Sequence, residues 1–213
     1  LEPEGIDLPG FSYYDTQNGF YIYKNDYALP MGFTFDTYVS RSQWETYSES
    51  DRCNLLLRAL VLEDDAVETY QKDMQKLPDA VHQMSDEDLL AECTERAKTA
   101  CDSFTYNSKG FHATISTDHA NLVFFSVPWE EGWSAEVNGE PVAIEKADIG
   151  FMAVPVAAGD SEITFTYHTP GLKAGALLSL GGLVLFAGYL TVAGIWNKRH
   201  PSPKAESVCC MDY

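Results

Sequence analysis

Residues 121–144 read NLVFFSVPWEEGWSAEVNGEPVAI and decide the fold of most of this chain. The first seven of them are almost continuously apolar, which predicts a central strand that is buried on both faces. Residues 133–137 and 141–144 then flank Asn138-Gly139, a pair that favours the positive φ angles of a tight type I′ turn. This stretch therefore predicts a buried strand followed by a β-hairpin.

Further strands are predicted on both sides of this stretch. They cover residues 111–117, 151–156 and 161–168, and turn-forming residues separate them. About six short strands with a turn every 8–12 residues are typical of an antiparallel β-sandwich. We therefore expect a sandwich of the jelly-roll-like type over residues 103–173.

Residues 1–102 are expected to contribute aromatic-rich strands and a helical segment. Strands are predicted at residues 19–24 and 33–39, where aromatic side chains are frequent. Apolar residues then recur at helical spacing in one segment, namely Cys53, Leu56, Leu57, Leu60 and Val61. A further helix is predicted to begin at Ser85, because a serine N-cap there precedes three acidic residues.

The segment 174–196 reads AGALLSLGGLVLFAGYLTVAGIW and contains no formal charge. As a helix it would be about 34 Å long, which exceeds the roughly 30 Å of a bilayer core. A buried helix of a soluble protein is the alternative, but such helices are rarely apolar on every face. The sequence thus predicts an α+β fold, an antiparallel β-sandwich with a helical insert, followed by one transmembrane helix.

Charge gives an expected orientation and excludes one class of partner. Lys198 and Arg199 follow the apolar segment at once, which predicts that residues 197–213 are a cytoplasmic tail and residues 1–173 are extracytoplasmic. The chain has 14 basic and 32 acidic side chains and a formal net charge of −18. Because such a chain repels phosphate backbones, no nucleic-acid partner is expected.

The five cysteines leave two arrangements open. Cys209 and Cys210 fall in the predicted cytoplasmic tail, where disulfides are uncommon. The remaining three, Cys53, Cys93 and Cys101, form an odd set, so either Cys53 bridges one of the other two or all three are free thiols. No metal site is expected, because neither Cys-x-x-Cys nor His-x-x-x-His spacing occurs.

The candidate binding residues are Trp129, Glu130, Glu131 and Trp133. Aromatic faces with nearby carboxylates are suited to packing against sugar rings, so these four residues are possible glycan contacts. Core or strand-edge packing of the two tryptophans is the alternative. The other carboxylate groups are explained as solvated helix faces and a helix N-terminus, so no catalytic or cofactor-binding residue is predicted.

A series of short motifs runs in order along residues 20–196. They are Tyr23-Lys24-Asn25, residues 28–33, the helical residues 52–62, residues 122–129, Gly132-Trp133, Val137-Asn138-Gly139, Phe151, Gly159, Ile163, Phe165, Tyr167, Pro170-Gly171 and the final apolar span. In this order they resemble the C-terminal part of the YfhO family of bacterial multi-pass membrane proteins. No catalytic residue can be carried over, because the transmembrane core in which such enzymes hold their catalytic carboxylate is not among these residues.

The resemblance implies a function for a longer protein. Leu1 is not an initiator methionine and no signal peptide precedes it, so the chain is expected to be the C-terminal piece of a multi-pass protein. That protein would be a glycosyltransferase that takes sugar from a polyprenyl-phosphate-linked donor and modifies cell-envelope polymers such as lipoteichoic acid. Its partners would be the lipid bilayer, the upstream transmembrane helices and an envelope glycan. The alternatives are a non-catalytic membrane-anchored module that binds a glycan or a protein, and a purely structural domain.

Overall fold

The computed structural model describes residues 9–78 and 84–200. The chain forms two compact units, of which the first ends at His168 and the second begins at Thr169. The first unit is a β-rich domain with helical segments, and the second contains one long helix. Both the β-sandwich with a helical insert and the apolar helix after it are therefore present, as predicted.

The described elements follow one another in this order. The strands are β1 (Phe11–Gln17), β2 (Phe20–Asn25), β3 (Phe33–Thr34), β4 (Thr37–Ser40), β5 (Leu60–Leu62), β6 (Gln75–Lys76), β7 (Ser103–Asn107), β8 (Gly110–Thr117), β9 (Asn121–Pro128), β10 (Trp133–Val137), β11 (Glu140–Val142), β12 (Glu145–Ala147), β13 (Phe151–Val156) and β14 (Gly159–Tyr167). The helices are α1 (Arg41–Thr46), α2 (Glu49–Leu55), α3 (Asp64–Tyr70), α4 (Asp86–Lys98) and α5 (Leu172–Arg199).

Two sheets pack face to face in the first unit. One is antiparallel with the strand order β11-β10-β14-β8-β7, and the other has the order β3-β9-β13-β12-β5-β4-β6. Their facing side chains form a single core, in which Phe111 and Phe165 of the first sheet meet Phe125 and Met152 of the second. The rings of Phe111 and Phe165 are stacked with centroids 4.4 Å apart. This core is what makes the domain a sandwich.

Strand β9 is the predicted central strand and is buried on both faces. It lies between β3 and β13 in its sheet. Val123 and Phe125 point into the sandwich core, whereas Leu122 and Phe124 enter a second core on the opposite face of the sheet. Because both faces are covered, the strand needs no alternation of polar and apolar residues, which explains its continuous apolar sequence.

The second core joins the sheet to the helical insert, and here one prediction was wrong. Leu60 and Val61, which fit helical spacing, lie in strand β5 because α2 already ends at Leu55. Strand β5 is fully buried and pairs in parallel with β4, with Tyr38 opposite Leu60. The short apolar run is therefore stabilised by sheet pairing with a segment about 20 residues away, which local periodicity does not reveal.

Three further local features agree with the sequence or refine it. Helix α4 begins after Ser85 with a capping box, in which the Ser85 hydroxyl accepts from the Asp88 amide and Asp88 binds back to the Ser85 amide. The β10–β11 turn has Asn138 at φ 54° and Gly139 at φ 80°, as a type I′ turn requires, and Glu140 already belongs to β11. The predicted strand at residues 33–39 is divided into β3 and β4.

Helix α5 forms the described part of the second unit. It has 28 residues, and by length and composition it is, within residues 9–78 and 84–200, the one helix able to cross a membrane. Residues 201–213, including Cys209 and Cys210 of the predicted tail, lie outside the described residues. In the first unit Cys53, Cys93 and Cys101 are free thiols, and burial raises the pKa of Cys101 to about 11.

Candidate functional site

An open cleft of about 540 Å³ lies at one end of the sandwich. The strands explain why its residues meet, since the start of β8 pairs with the end of β14, and the end of β14 pairs with the start of β10. We use the name aromatic cleft for the site formed by Tyr106, Trp133, Tyr167, Glu130 and the 107–109 turn. Its size lies within the range of about 300–1,000 Å³ that is usual for ligand sites.

Trp133 belongs both to the cleft and to the edge of the core. It is directly opposite Tyr167 in the β10–β14 register, and the two ring centroids are 5.0 Å apart. On its other side the indole ring contacts Phe111 at 5.6 Å and Phe165 at 6.1 Å. The side chain is thus anchored by packing while it lines the cleft.

Tyr167 is held in a fixed position beside Trp133. Its hydroxyl donates a 2.7 Å hydrogen bond to Oε2 of Glu130, and this bond to a carboxylate raises the pKa of Tyr167. Beneath the ring is Gly132, where an added Cβ would come within 2.5 Å of a Tyr167 ring carbon and 2.6 Å of the His168 carbonyl oxygen. Glycine at position 132 therefore allows the Tyr167 ring to lie close to the backbone.

The turn between β7 and β8 supplies the rim of the cleft. The amide of Lys109 donates to Oδ1 of Asn107 at 2.7 Å, and the Tyr167 amide donates to the Lys109 carbonyl at 2.7 Å. Gly110 lies so close to β14 that an added Cβ would be 1.9 Å from the Phe165 carbonyl oxygen. With the backbone held in this way, the side chain of Tyr106 stands out from the rim and is 81% exposed.

The structure brings together only two of the four candidate residues named from the sequence. Glu130 and Trp133 line the aromatic cleft. Trp129 does not, because its amide donates to the Gly150 carbonyl at 2.8 Å and its ring lies 4.9 Å from the Lys146 ammonium group. Glu131 is exposed and is not part of the cleft lining.

Tyr106 and Tyr167 are the cleft residues that sequence reasoning did not select. Tyr167 follows Ile163 and Phe165 in the alternating pattern of β14, so its position on a strand is predictable, but its position at a cleft is not. Tyr106 lies in β7, a strand that was not predicted. Both tyrosines become part of a site only through pairing with β8 and β10.

One buried acid lies apart from the cleft. Asp148 accepts a 2.8 Å hydrogen bond from the Val61 amide at Oδ1, and its own amide donates to the Val61 carbonyl at 2.9 Å. Burial raises the pKa of Asp148 to about 7. Among the residues that the structure describes, no group of three or more His, Cys, Asp or Glu side chains is arranged to hold a metal ion.

Comparison with known proteins agrees with the resemblance seen in the sequence. A family model described as "Bacterial membrane protein YfhO" matches residues 80–179, which include β7 to β14 and the start of α5. "Uncharacterized protein YfhO" of Bacillus subtilis (strain 168) is 30% identical over 121 residues. No solved structure matches the chain.

The matched part is a small fraction of that relative. The 121 residues make up 57% of this chain and 13% of the Bacillus subtilis protein. The family description and helix α5 both agree with the membrane location that residues 174–196 predict. The family match over residues 80–179, the identity to the Bacillus subtilis protein and the apolar helix together support membership of the YfhO family of bacterial membrane proteins.

Proposed function

We propose that the aromatic cleft binds a cell-envelope glycan. The observation that carries this proposal is that three aromatic side chains, Tyr106, Trp133 and Tyr167, line one cleft together with Glu130, whose carboxylate binds the Tyr167 hydroxyl. A pyranose ring has an apolar C–H face and an edge of hydroxyl groups, and the cleft offers aromatic surface to the first and hydrogen-bonding groups to the second. Binding of a sugar ring uses both features of the site at once.

The polar groups of the cleft can form hydrogen bonds with sugar hydroxyls in addition to the contacts they already make. A carboxylate offers about four acceptor positions, so Glu130 can accept from a sugar hydroxyl while Tyr167 donates to it. Lys109 and Asn107 on the rim add donors at the open side. The net charge of −18 opposes polyanions, so we expect the sugar, and not the phosphate groups of an envelope polymer, to be the part that the cleft binds.

The wider role is proposed from family membership. In this proposal the first unit is the extracytoplasmic domain, α5 is a membrane helix, and residues 197–213 are cytoplasmic. The longer protein transfers sugar from a polyprenyl-phosphate-linked donor to a polymer such as lipoteichoic acid. An acceptor hydroxyl then forms the new glycosidic bond while the bond to the lipid phosphate breaks. That chemistry is assigned to a transmembrane core outside residues 1–213, and the aromatic cleft would hold the acceptor.

Glycan binding is tested with a pair of matched tyrosine variants. Tyr106→Ala removes an 81% exposed ring from the cleft, and Tyr14→Ala removes a 70% exposed ring from strand β1, which does not line the cleft. The probes are lipoteichoic acid fragments with and without sugar substituents, titrated by calorimetry into the chain in nanodiscs. We expect binding of the glycosylated fragment alone, and a roughly tenfold higher Kd for Tyr106→Ala, as the loss of about 1.4 kcal/mol of stacking would give.

The control variant and the unsubstituted polymer decide the result. Tyr14→Ala should bind as the wild type does. Absence of binding, or equal weakening by both variants, would reject the cleft as a glycan site.

The transferase role is tested separately by the reading frame upstream of Leu1. Ten or more apolar spans of about 20 residues, with an acidic residue in the first external loop, would support a multi-pass glycosyltransferase. A signal peptide that directly precedes Leu1 would instead favour the alternative of a single-pass, non-catalytic binding module.

A further inference from the structure

Strands β1 and β2 form a hairpin that is a sheet of its own, separate from the two sandwich sheets. Its turn is Asn18-Gly19, with φ of 52° and 82°, so both residues have the positive φ of a type I′ turn. We use the name hairpin tip for residues 16–23, which read TQNGFYIY and contain no formal charge. Four large side chains follow the turn directly, namely Phe20, Tyr21, Ile22 and Tyr23.

The hairpin tip is exposed on both faces and at its end. Phe20 is 75% exposed, and Tyr21 and Ile22 are 55% and 36% exposed. Since neighbouring residues of a strand point to opposite faces, Phe20 and Ile22 lie on one face and Tyr21 lies on the other. At the turn itself, a Cβ added to Gly19 would have nothing within 4 Å. The described part of the chain therefore leaves both sides of the tip open.

A second hairpin of the same unit shows that such a turn does not require apolar neighbours. The β10–β11 turn is also an Asn-Gly pair, with positive φ at Asn138 and Gly139. The residue after that turn is Glu140, which is exposed and charged, whereas the residue after Gly19 is Phe20. The two turns share their backbone conformation and differ in the chemistry of the side chain that follows. The exposed apolar side chains of the hairpin tip therefore have a cause other than turn formation.

A lipid surface is the partner that fits exposure on every side. A folded protein partner covers one face of a hairpin, whereas lipid surrounds an inserted tip. Tyrosine is enriched at the membrane–water interface, and an uncharged tip has no ionic group that must lose its hydration there. Helix α5 is long and apolar enough to cross a membrane, so the hairpin belongs to a chain that is held at a bilayer. At the resulting high effective concentration of lipid, a small apolar tip suffices.

Charge determines which force holds the tip at the lipid. A chain of net charge −18 is repelled by anionic headgroups, so ionic attraction does not supply the contact. Burial of apolar surface is then the driving force. We propose that the hairpin tip inserts into the interfacial region of the bilayer that α5 crosses, with Phe20 and Ile22 on one side of the hairpin and Tyr21 on the other in contact with lipid. The tip gives the β-rich domain a membrane contact in addition to its covalent link to α5.

Site-specific photocrosslinking of the full chain in phosphatidylcholine nanodiscs tests this proposal. The photoreactive residue p-benzoylphenylalanine replaces Phe20 in one variant and Glu140 in the matched control, because both positions are exposed and directly follow an Asn-Gly turn. Mass spectrometry then measures the lipid adduct at each position. We expect an adduct at position 20 and a yield at least roughly tenfold lower at position 140, since only the first tip has apolar side chains to bury.

A second set of variants tests whether apolar side chains cause the insertion. With the photoreactive residue in place of Tyr21, Phe20→Asp should reduce the lipid adduct roughly tenfold, because a charge must then enter the interface. Phe20→Tyr should retain the adduct, since tyrosine is itself an interfacial residue. Higher salt should leave the yield unchanged, because the tip has no charge for ions to screen. Phe20 is exposed, so neither substitution disturbs the core.

Four results would overturn the proposal. Absence of a lipid adduct at position 20 would show that the tip is in water. Equal adducts at positions 20 and 140 would show that the domain approaches lipid without using the tip. A crosslink from position 20 to a second copy of the chain would identify a protein as the partner, and an adduct that Phe20→Asp leaves unchanged would exclude apolar burial as its cause. The hairpin tip does not line the aromatic cleft, so failure of the glycan proposal leaves this one unaffected.

Discussion

Asp148 lies where the β12–β13 connection meets strand β5, and its replacement by Asn should stabilise the β-rich domain at neutral pH. Ala147 forms the residue pair that joins β12 to β5, and Asp148 extends this contact with two hydrogen bonds to Val61. Asn keeps the acceptor at Oδ1, and its NH₂ group replaces the O–H of the protonated acid. Asn also tolerates the positive φ of 43° at this position. The substitution therefore removes a titrating proton and preserves the geometry.

The sign of the effect follows from the raised pKa of Asp148. Burial raises this pKa from its ordinary value of 3.8 to about 7, against the smaller opposing effect of the Val61 hydrogen bond. Between these two pH values the unfolded chain has lost the proton while the folded chain still holds it. The free energy of unfolding therefore falls as pH rises from about 4 to 7 and is level above that. Below about pH 4 Asp148 is protonated in both the folded and the unfolded chain. This loss of unfolding free energy, which we call the penalty, is then absent.

The size of the effect follows from the same two values. The pKa of Asp148 is about 7 in the folded chain and ordinarily 3.8. At about 1.4 kcal/mol for each pKa unit, this difference lowers the free energy of unfolding by at most roughly 4 kcal/mol. Between pH 5 and pH 8 the penalty grows by about 2–3 kcal/mol, because part of it already exists at pH 5. The amide side chain of the Asp148→Asn variant does not titrate and carries no such penalty. The stability gained through Asp148→Asn should therefore increase by this amount between pH 5 and pH 8.

Urea unfolding, followed by tryptophan fluorescence at pH 5, 6, 7 and 8, measures this difference. Asp160→Asn serves as the control, because it removes one acidic group from an exposed position and so corrects for the change in net charge. A difference between Asp148→Asn and wild type that does not vary with pH would refute the argument. Destabilisation by Asp148→Asn at every pH would refute it as well.

Two glycine substitutions test the turn and the cleft. Gly139→Val should lower the unfolding free energy by about 1–2 kcal/mol, because φ at this position is 80°. The site has open space around it, so only the backbone conformation opposes valine. An unchanged thermal midpoint would contradict this prediction. Gly132→Ala should push the Tyr167 ring away from Glu130 and weaken glycan binding, whereas Gly150→Ala, with nothing within 4 Å of the added Cβ, should affect neither binding nor stability. Similar Kd values for these two alanine variants would show that the position of Tyr167 is not required.

The features that could be predicted from the sequence are those with short-range causes. The type I′ turn needs only positive φ at Asn138 and Gly139, and the start of α4 needs only the Ser85 cap. Strand β9 was recognisable because burial on both faces leaves a continuous apolar run. Local sequence contains no information on partners, however, so Leu60 and Val61 were assigned to a helix while the structure places them in a buried parallel strand.

The candidate site depended on long-range pairing to a greater extent. Glu130 and Trp133 are close in sequence and could be selected together, but they were grouped with Trp129 and Glu131, which do not line the aromatic cleft. Tyr106 and Tyr167 reach the cleft because β7 pairs with β8 and β8 with β14. The β7–β8 pairs join residues 3 to 11 positions apart and the β8–β14 pairs join residues 42 to 56 positions apart, and no single segment indicates that these pairings meet at one cleft.

By itself the sequence determined the membrane helix, the acidic character, the tight turn and the β-rich composition of this protein, because each follows from the composition of a single segment. The tertiary structure alone decided which side chains share a surface. It joined Asp148 to Val61 across 87 residues and assembled the cleft from β7, β9, β10 and β14. The physical reason is that hydrogen-bonded strand register and core packing are properties of pairs of distant segments, whose contacts no single segment encodes.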